Sequence, residues 1–295
     1  MIWYNETTIR TNTMQLDFFN RAPENKKEQT NPVIERAYPQ AIKTLKENAI
    51  SIDEFDGFYD EKKLALHRSM VAKKEARFSH EAHKEYSDVL EAVIFDQCGN
   101  GKWFGEQTHA IKTSTFDDYI NGSDLILEIE DTARALTHLS LSVDVTFGTT
   151  TEADKFAKIK ENIDSGDLGK INYFRSSRST LKGEISHVPQ VVMGVEKDTV
   201  VKLANLWMDK NEHPELATTL DEHPIRRLLL SEILLQLYTF KNYADKTKRP
   251  HLVPIYEKDI QILEDIIRKQ GPIDIGELRG DKVFLAIKES LSAFK

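Results

Sequence analysis

The chain has 295 residues, 40% of them hydrophobic and 30% charged, enough for a substantial core in one large domain or two ordinary ones. Forty Lys plus Arg against 48 Asp plus Glu leave a net charge of −8; that excludes a polycation, so any nucleic-acid surface has to be a local patch within an acidic average. The single cysteine, Cys98, excludes an internal disulfide framework and suits a reducing compartment.

Residues 1–6 hold no basic segment followed by an apolar one, so no secretory signal is expected. The most apolar run, 228–240, is broken by Ser231, Glu232, Gln236 and Thr239 and is too short to span a bilayer. These features predict a cytoplasmic protein with no membrane association. Residues 17–32 are polar, with Pro23 and Pro32 near the ends, and read as an exposed arm. A helix is predicted over 33–47, with Val33, Ala37, Ala41 and Leu45 on one face and Pro39 kinking it. The acidic, aromatic stretch 51–61 is predicted as a solvated loop, because its carboxylates miss the alternating positions of a calcium loop. From 61 to 95 the pattern gives one or two amphipathic helices, ended by Cys98-Gly99-Asn100-Gly101.

Then the period changes. Leu125, Leu127 and Ile129 alternate with Asp124, Glu128 and Glu130, although Ile126 interrupts the polar face. After a turn around 130–133, residues 139–147 alternate strictly and make the clearest strand in the chain. A helix over 151–164 turns Phe156, Ile159 and Ile163 inward, with Gly166 closing it. Strands are predicted at 170–175 and 188–195, a helix at 199–209, and helices throughout 213–295. This divides the chain into an N-terminal arm with helices (1–74), an α/β core (75–212) and a helical C-terminal region (213–295).

Two acids stand where a metal site can be built. Asp124 follows the Asn121-Gly122-Ser123 turn and opens one strand; Asp144 interrupts the middle of the next, where Asp is disfavoured. Adjacent strands would bring both carboxylates within reach of one hard divalent cation, and magnesium needs only one or two protein carboxylates. Other constellations are weaker. His80 and His83 have helical spacing but no further zinc-ligand pattern, Cys98 lies in no nucleophile signature, and Gly99-x-Gly101 does not continue into a phosphate loop.

With Gly122-Ser123-Asp124-Leu125-Ile126-Leu127 followed by Ser142-Val143-Asp144-Val145-Thr146-Phe147, the segment resembles the PD-(D/E)xK nuclease superfamily over about 130 residues. The resemblance implies a restriction-endonuclease-like α/β fold, a central mixed sheet of about four strands flanked by helices. It also implies a metal-dependent nuclease cleaving DNA or RNA with Mg2+ or Mn2+. Asp124 corresponds to the family's first aspartate and Asp144 to the acid of the (D/E)xK pair. A glutamate on the preceding helix often joins that site; Glu85 is the first choice, with Glu91 and Asp88 as alternatives. The family's lysine is replaced by Thr146, which cannot supply a cation. Lys155 and Lys158 border the inward stripe of the next helix, and a lysine stem of about 6 Å can reach back. Lys158 is the choice by a small margin.

Charge is distributed to match. Lys155, Lys158, Lys160, Lys170, Arg175, Arg178 and Lys182 face only Glu161, Asp164 and Asp167 in the same stretch, and 61–84 is similarly basic, whereas 117–131 holds acids and no base. Basic segments flanking an acidic strand pair suit phosphate-backbone contacts, so nucleic acid is the expected partner. The alternative expectation is a catalytically inactive member of the fold that binds nucleic acid or protein. A homo-oligomer through the C-terminal helices is a further expectation.

Overall fold

The computed structural model describes residues 30–78, 84–99, 103–131, 135–144 and 150–295. Asn31 caps α1 (Pro32–Asn48) by accepting from the Val33 amide at 2.9 Å, and Pro32 sits in the first turn, where an amide has no helical partner. The buried stripe of α1 is Ile34, Ala37, Ala41 and Leu45, so Ile34 takes the place expected for Val33; the helix runs through Pro39 on its exposed side. Helices α2 (Glu61–Phe78) and α3 (Lys84–Gly99) follow. Helix α3 packs against α1 on one side and the sheet on the other. It is therefore buried almost all round, and takes Asp88, Glu91 and Gln97 inside with its apolar residues.

The main sheet begins with β1 (Thr108–Lys112), β2 (Leu125–Glu130) and β3 (Leu136–Asp144), an antiparallel meander. Helix α4 (Thr150–Ser165) carries the chain across, a hairpin of β4 (Gly169–Arg175) and β5 (Lys182–Val188) forms a separate two-stranded sheet, and β6 (Gln190–Gly194) returns parallel to β3. The order is β1-β2-β3-β6. The chain is thus an α/β protein with a four-stranded mixed sheet and several helices, the class that its alternating strand and helix periods predict.

Membership of that sheet differs from the sequence expectation. Residues 170–175 leave it, and β1, which carries no alternation, takes the vacant place. The cause lies in a second apolar cluster. Consecutive Tyr173 and Phe174 are both buried, and with Ile50, Phe55, Ile111, Phe116 and Ile171 they build a core separate from the larger one. Strand β2 lies between the two cores: Leu125, Leu127 and Ile129 belong to the larger cluster and Ile126 to the smaller. That is why Ile126 breaks the alternation.

Beyond β6 come α5 (Lys197–Asp209), α6 (Pro214–Asp221), α7 (Ile225–Lys246), α8 (Val253–Gln270) and α9 (Lys282–Ser290). Helix α7 covers the free edge of β6. The Gln236 amide accepts from the Val192 amide at 2.8 Å and donates to the Val192 carbonyl at 2.5 Å, and one turn earlier Glu232 accepts from Gly194 at 3.1 Å. The edge strand is closed by side chains in place of another strand. Residues 31–295 form one compact unit. Among the described residues no helix is long and apolar enough to cross a membrane.

Candidate acid and lysine site

One corner of the sheet gathers charge from four elements. Helix α3 contributes Lys84, Asp88 and Glu91, spaced for one helical face, with Lys84 and Asp88 paired at 2.9 Å. Strand β1 ends on Lys112. A π-helical turn, Asp117–Asn121, then closes through Gly122, whose φ of 70° is the left-handed conformation that suits glycine. Asp117 pins this turn to β4: its carboxylate accepts from Ser114 Oγ at 2.8 Å, Asn121 Nδ2 at 2.6 Å, the Asn172 amide at 2.7 Å and the Tyr173 amide at 2.9 Å. With Asp117 so anchored, its neighbour Asp118 meets Lys112 at 2.8 Å. Asp124 enters β2 with its amide bonded to Leu141 and its Oδ2 accepting from the Val143 amide at 2.7 Å.

Lys112 is the centre of the cluster. Its Nζ lies 2.8 Å from Glu91 Oε1 and donates to Asp118 Oδ2 at 2.8 Å and to the Asp124 carbonyl at 3.1 Å. Burial would lower its pKa, but Asp118, Glu91 and Asp124 outweigh that and push it up. The acids carry the complementary strain. Burial, and then the Asp118 carboxylate, raise Asp124 to about 6 against the opposing pull of Lys155, Lys112 and the Val143 amide. Burial raises Glu91 to about 8; Lys112 draws it down, while Asp124 and Asp118 push it up. Asp88, Glu91, Asp118 and Asp124 thus share this corner with Lys84 and Lys112, and burial with mutual repulsion raises Glu91 and Asp124.

A second acid in β2 is the opposite case. Glu128 is fully buried, yet it accepts from Ser176 Oγ at 2.6 Å, Ser177 Oγ at 2.7 Å, the Ser177 amide at 3.0 Å and His138 Nε2 at 3.3 Å. Those donors overcome the burial penalty and hold it at about 2. Glu128 anchors the loop after β4.

Asp124 stands in this corner, at the entrance of β2. Asp144 closes β3, its backbone paired with Gly194; its side chain, like Thr146, lies outside the described residues. Glu85 is half-buried in the first turn of α3, and its charge acts on the Tyr38 phenol of α1; Glu91 is the acid of that helix that meets Lys112. Lys158 donates to the carbonyls of Ile120 at 3.0 Å and Asn121 at 2.8 Å and so braces the turn before Asp124, while Lys155 acts on the Asp124 charge. His80 and His83 lie outside the described residues. Cys98 is buried, and burial pushes its thiol up, away from nucleophilic use. Among the described residues no three His, Cys, Asp or Glu side chains form a metal-binding group. Lys112 and Asp118 went unrecognised in the sequence; the available signal was a lysine followed six residues later by an aspartate, a pattern without periodicity.

No family model, curated protein or solved structure matches this chain.

Proposed function

We propose that residues 75–212 form a restriction-endonuclease-like core of PD-(D/E)xK type, which hydrolyses phosphodiester bonds of DNA or RNA with Mg2+ or Mn2+. The observation carrying the reading is the joint placement of Asp124 at the start of β2, the end of β3 beside it, and the buried acid Glu91 on the preceding helix. The order α3, an antiparallel strand meander, α4 and, after the β4–β5 hairpin, a parallel β6 supports the reading. The donor chemistry fits a hard cation: Asp124 is an oxygen donor raised to about 6 by burial and a neighbouring carboxylate, and a nearby divalent ion would relieve that repulsion. Asp124 and Asp144 would hold the metal, which when bound acidifies water and offsets charge on phosphate. The chain's own residues orient and bind: the Val143 amide fixes Asp124, Lys158 braces the turn before it, and Lys155 of α4 offers a cationic contact to a phosphate backbone.

The second reading, an inactive binding module of the same fold, is favoured by one observation: Lys112 already engages oxygens of Glu91, Asp118 and Asp124. A homo-oligomer through the C-terminal helices belongs to the proposal as well, with Tyr238 and Leu285 as their exposed apolar side chains.

Incubation with labelled single- and double-stranded DNA and RNA separates the two readings. Cleavage should require Mg2+ or Mn2+, stop with chelator, and fall at least about 100-fold in Asp124→Asn and Asp144→Ala. A wild-type protein that binds but never cleaves supports the second reading, and undiminished cleavage by Asp124→Asn defeats the first.

A further inference from the structure

We propose that Lys112 is the positioning residue of the Asp124 site, holding the entrance of β2 in register with α3 and the 117–121 turn. The inference rests on the phosphodiesterase reading for its catalytic readout alone.

A lysine is seldom buried, and Lys112 is only 7% exposed. Its strand neighbour Ile111 packs in the smaller core, which turns Lys112 to the opposite face of the strand. The ammonium then reaches three separate elements: Glu91 of α3, Asp118 of the turn, and the main-chain oxygen of Asp124. That same Asp124 oxygen accepts from the Thr113 amide at 3.3 Å, and Thr113 Oγ1, which donates to the Ser123 carbonyl at 2.6 Å, lies 3.0 Å from it. Lys112 and Thr113 therefore grip one carbonyl from adjacent positions, while Asp124 Oδ2 is held by the Val143 amide on the other side. The aspartate is fixed at backbone and carboxylate together. Lys158 is differently placed: its ammonium is given to the carbonyls of Ile120 and Asn121, so it steadies the turn one step away. The charged groups facing this corner are Lys84, Asp88 and Glu91 on α3, Asp118 on the turn and Lys155 on α4. Lys112 is the cation in contact with acids of both α3 and the turn.

The test uses the full chain without metal first. Hydrogen exchange of the Val143 amide should quicken at least about tenfold in Lys112→Met and stay within about threefold of wild type in Lys112→Arg, which keeps the charge. The Val192 amide, held by Gln236 at the far edge of the sheet, should not change. In Mn2+-supported cleavage, kcat should fall about 100-fold in Lys112→Met with KM within about threefold, and Lys112→Arg should recover most of the loss. Equal quickening at Val143 and Val192, or none at Val143 in a folded Lys112→Met protein, overturns the assignment. If Lys112→Met does not fold, Asp118→Asn, which removes one anchor of the ammonium, should still quicken Val143 selectively, and failure to do so also overturns it. A wild type that cleaves nothing, with Val143 responding as expected, defeats the phosphodiesterase reading and leaves the role of Lys112 standing.

Discussion

Asp124 and Glu128 stand four residues apart along one strand, and their environments drive them in opposite directions. Glu128 is the more acidic: burial works against its charge, but two serine hydroxyls, an amide and His138 hold it at about 2. Asp124 is raised to about 6 by burial first and by the Asp118 carboxylate next, and the Val143 amide offsets only part of that rise. Depth alone does not decide the charge of a buried acid. Burial raises both acids, and the donors turned toward each decide how far that rise is offset; the acid left short of donors is the one with capacity for a further cation.

The largest effect expected from this contrast is the loss of the saturated acid. Glu128→Ala orphans the donors of Ser176, Ser177 and His138 and should cost about 3 kcal/mol in urea unfolding. A loss below about 1 kcal/mol would break the comparison, because Glu128 would then be no anchor. The pH dependence carries the same information. The folded pKa of Glu128 lies below its ordinary value of 4.5, so its contribution is fully present above pH 4.5. As pH falls from there through about 2, about 3 kcal/mol of stability should disappear, and this limb should be missing in Glu128→Ala.

Asp124→Asn should behave in the opposite sense. The folded pKa is raised, so the folded protein holds the proton longer, and stability falls as pH rises from 3.8 through about 6. An asparagine keeps an acceptor for the Val143 amide without the charge, and at pH 8 it should gain on the order of 1 kcal/mol over wild type, read by thermal or urea melting. A marked loss instead would place Asp124 among the structural anchors. The smallest effect sharpens the account of Glu128: Ser177→Ala removes the hydroxyl and leaves the Ser177 amide in place, and should cost about 1 kcal/mol while raising the acid midpoint of unfolding.

Much of the scaffold was legible in the residues themselves. The alternation from Leu139 marked β3, the spacing of Phe156, Ile159 and Ile163 marked α4, and Asp124 was singled out by its place after a Gly-Ser turn. These are local signals, because a strand or helix that buries one face must repeat with its own period. The limits of that logic are visible at Ile126, Tyr173 and Phe174, which break period because they face a second core made from distant segments. Strand β1 leaves no periodic signal for a related reason: five residues between a loop and a turn pair with β2 through backbone hydrogen bonds that no side-chain pattern records.

What the sequence by itself determined is the α/β class, the positions of the longer elements and the candidate acids on neighbouring strands. Only the tertiary structure decided which acids share an environment. Glu91 and Glu85 lie on the same helix six residues apart, and the packing of α3 against β1 sets one against Lys112 while the other acts on Tyr38. Asp124 and Glu128 are both acids of one strand region, and their titrations diverge through the serines of a loop some fifty residues downstream. Periodicity reports how one element faces the core. The charge state of a buried group is set by donors and ions from other elements, and these come together only when the chain is folded.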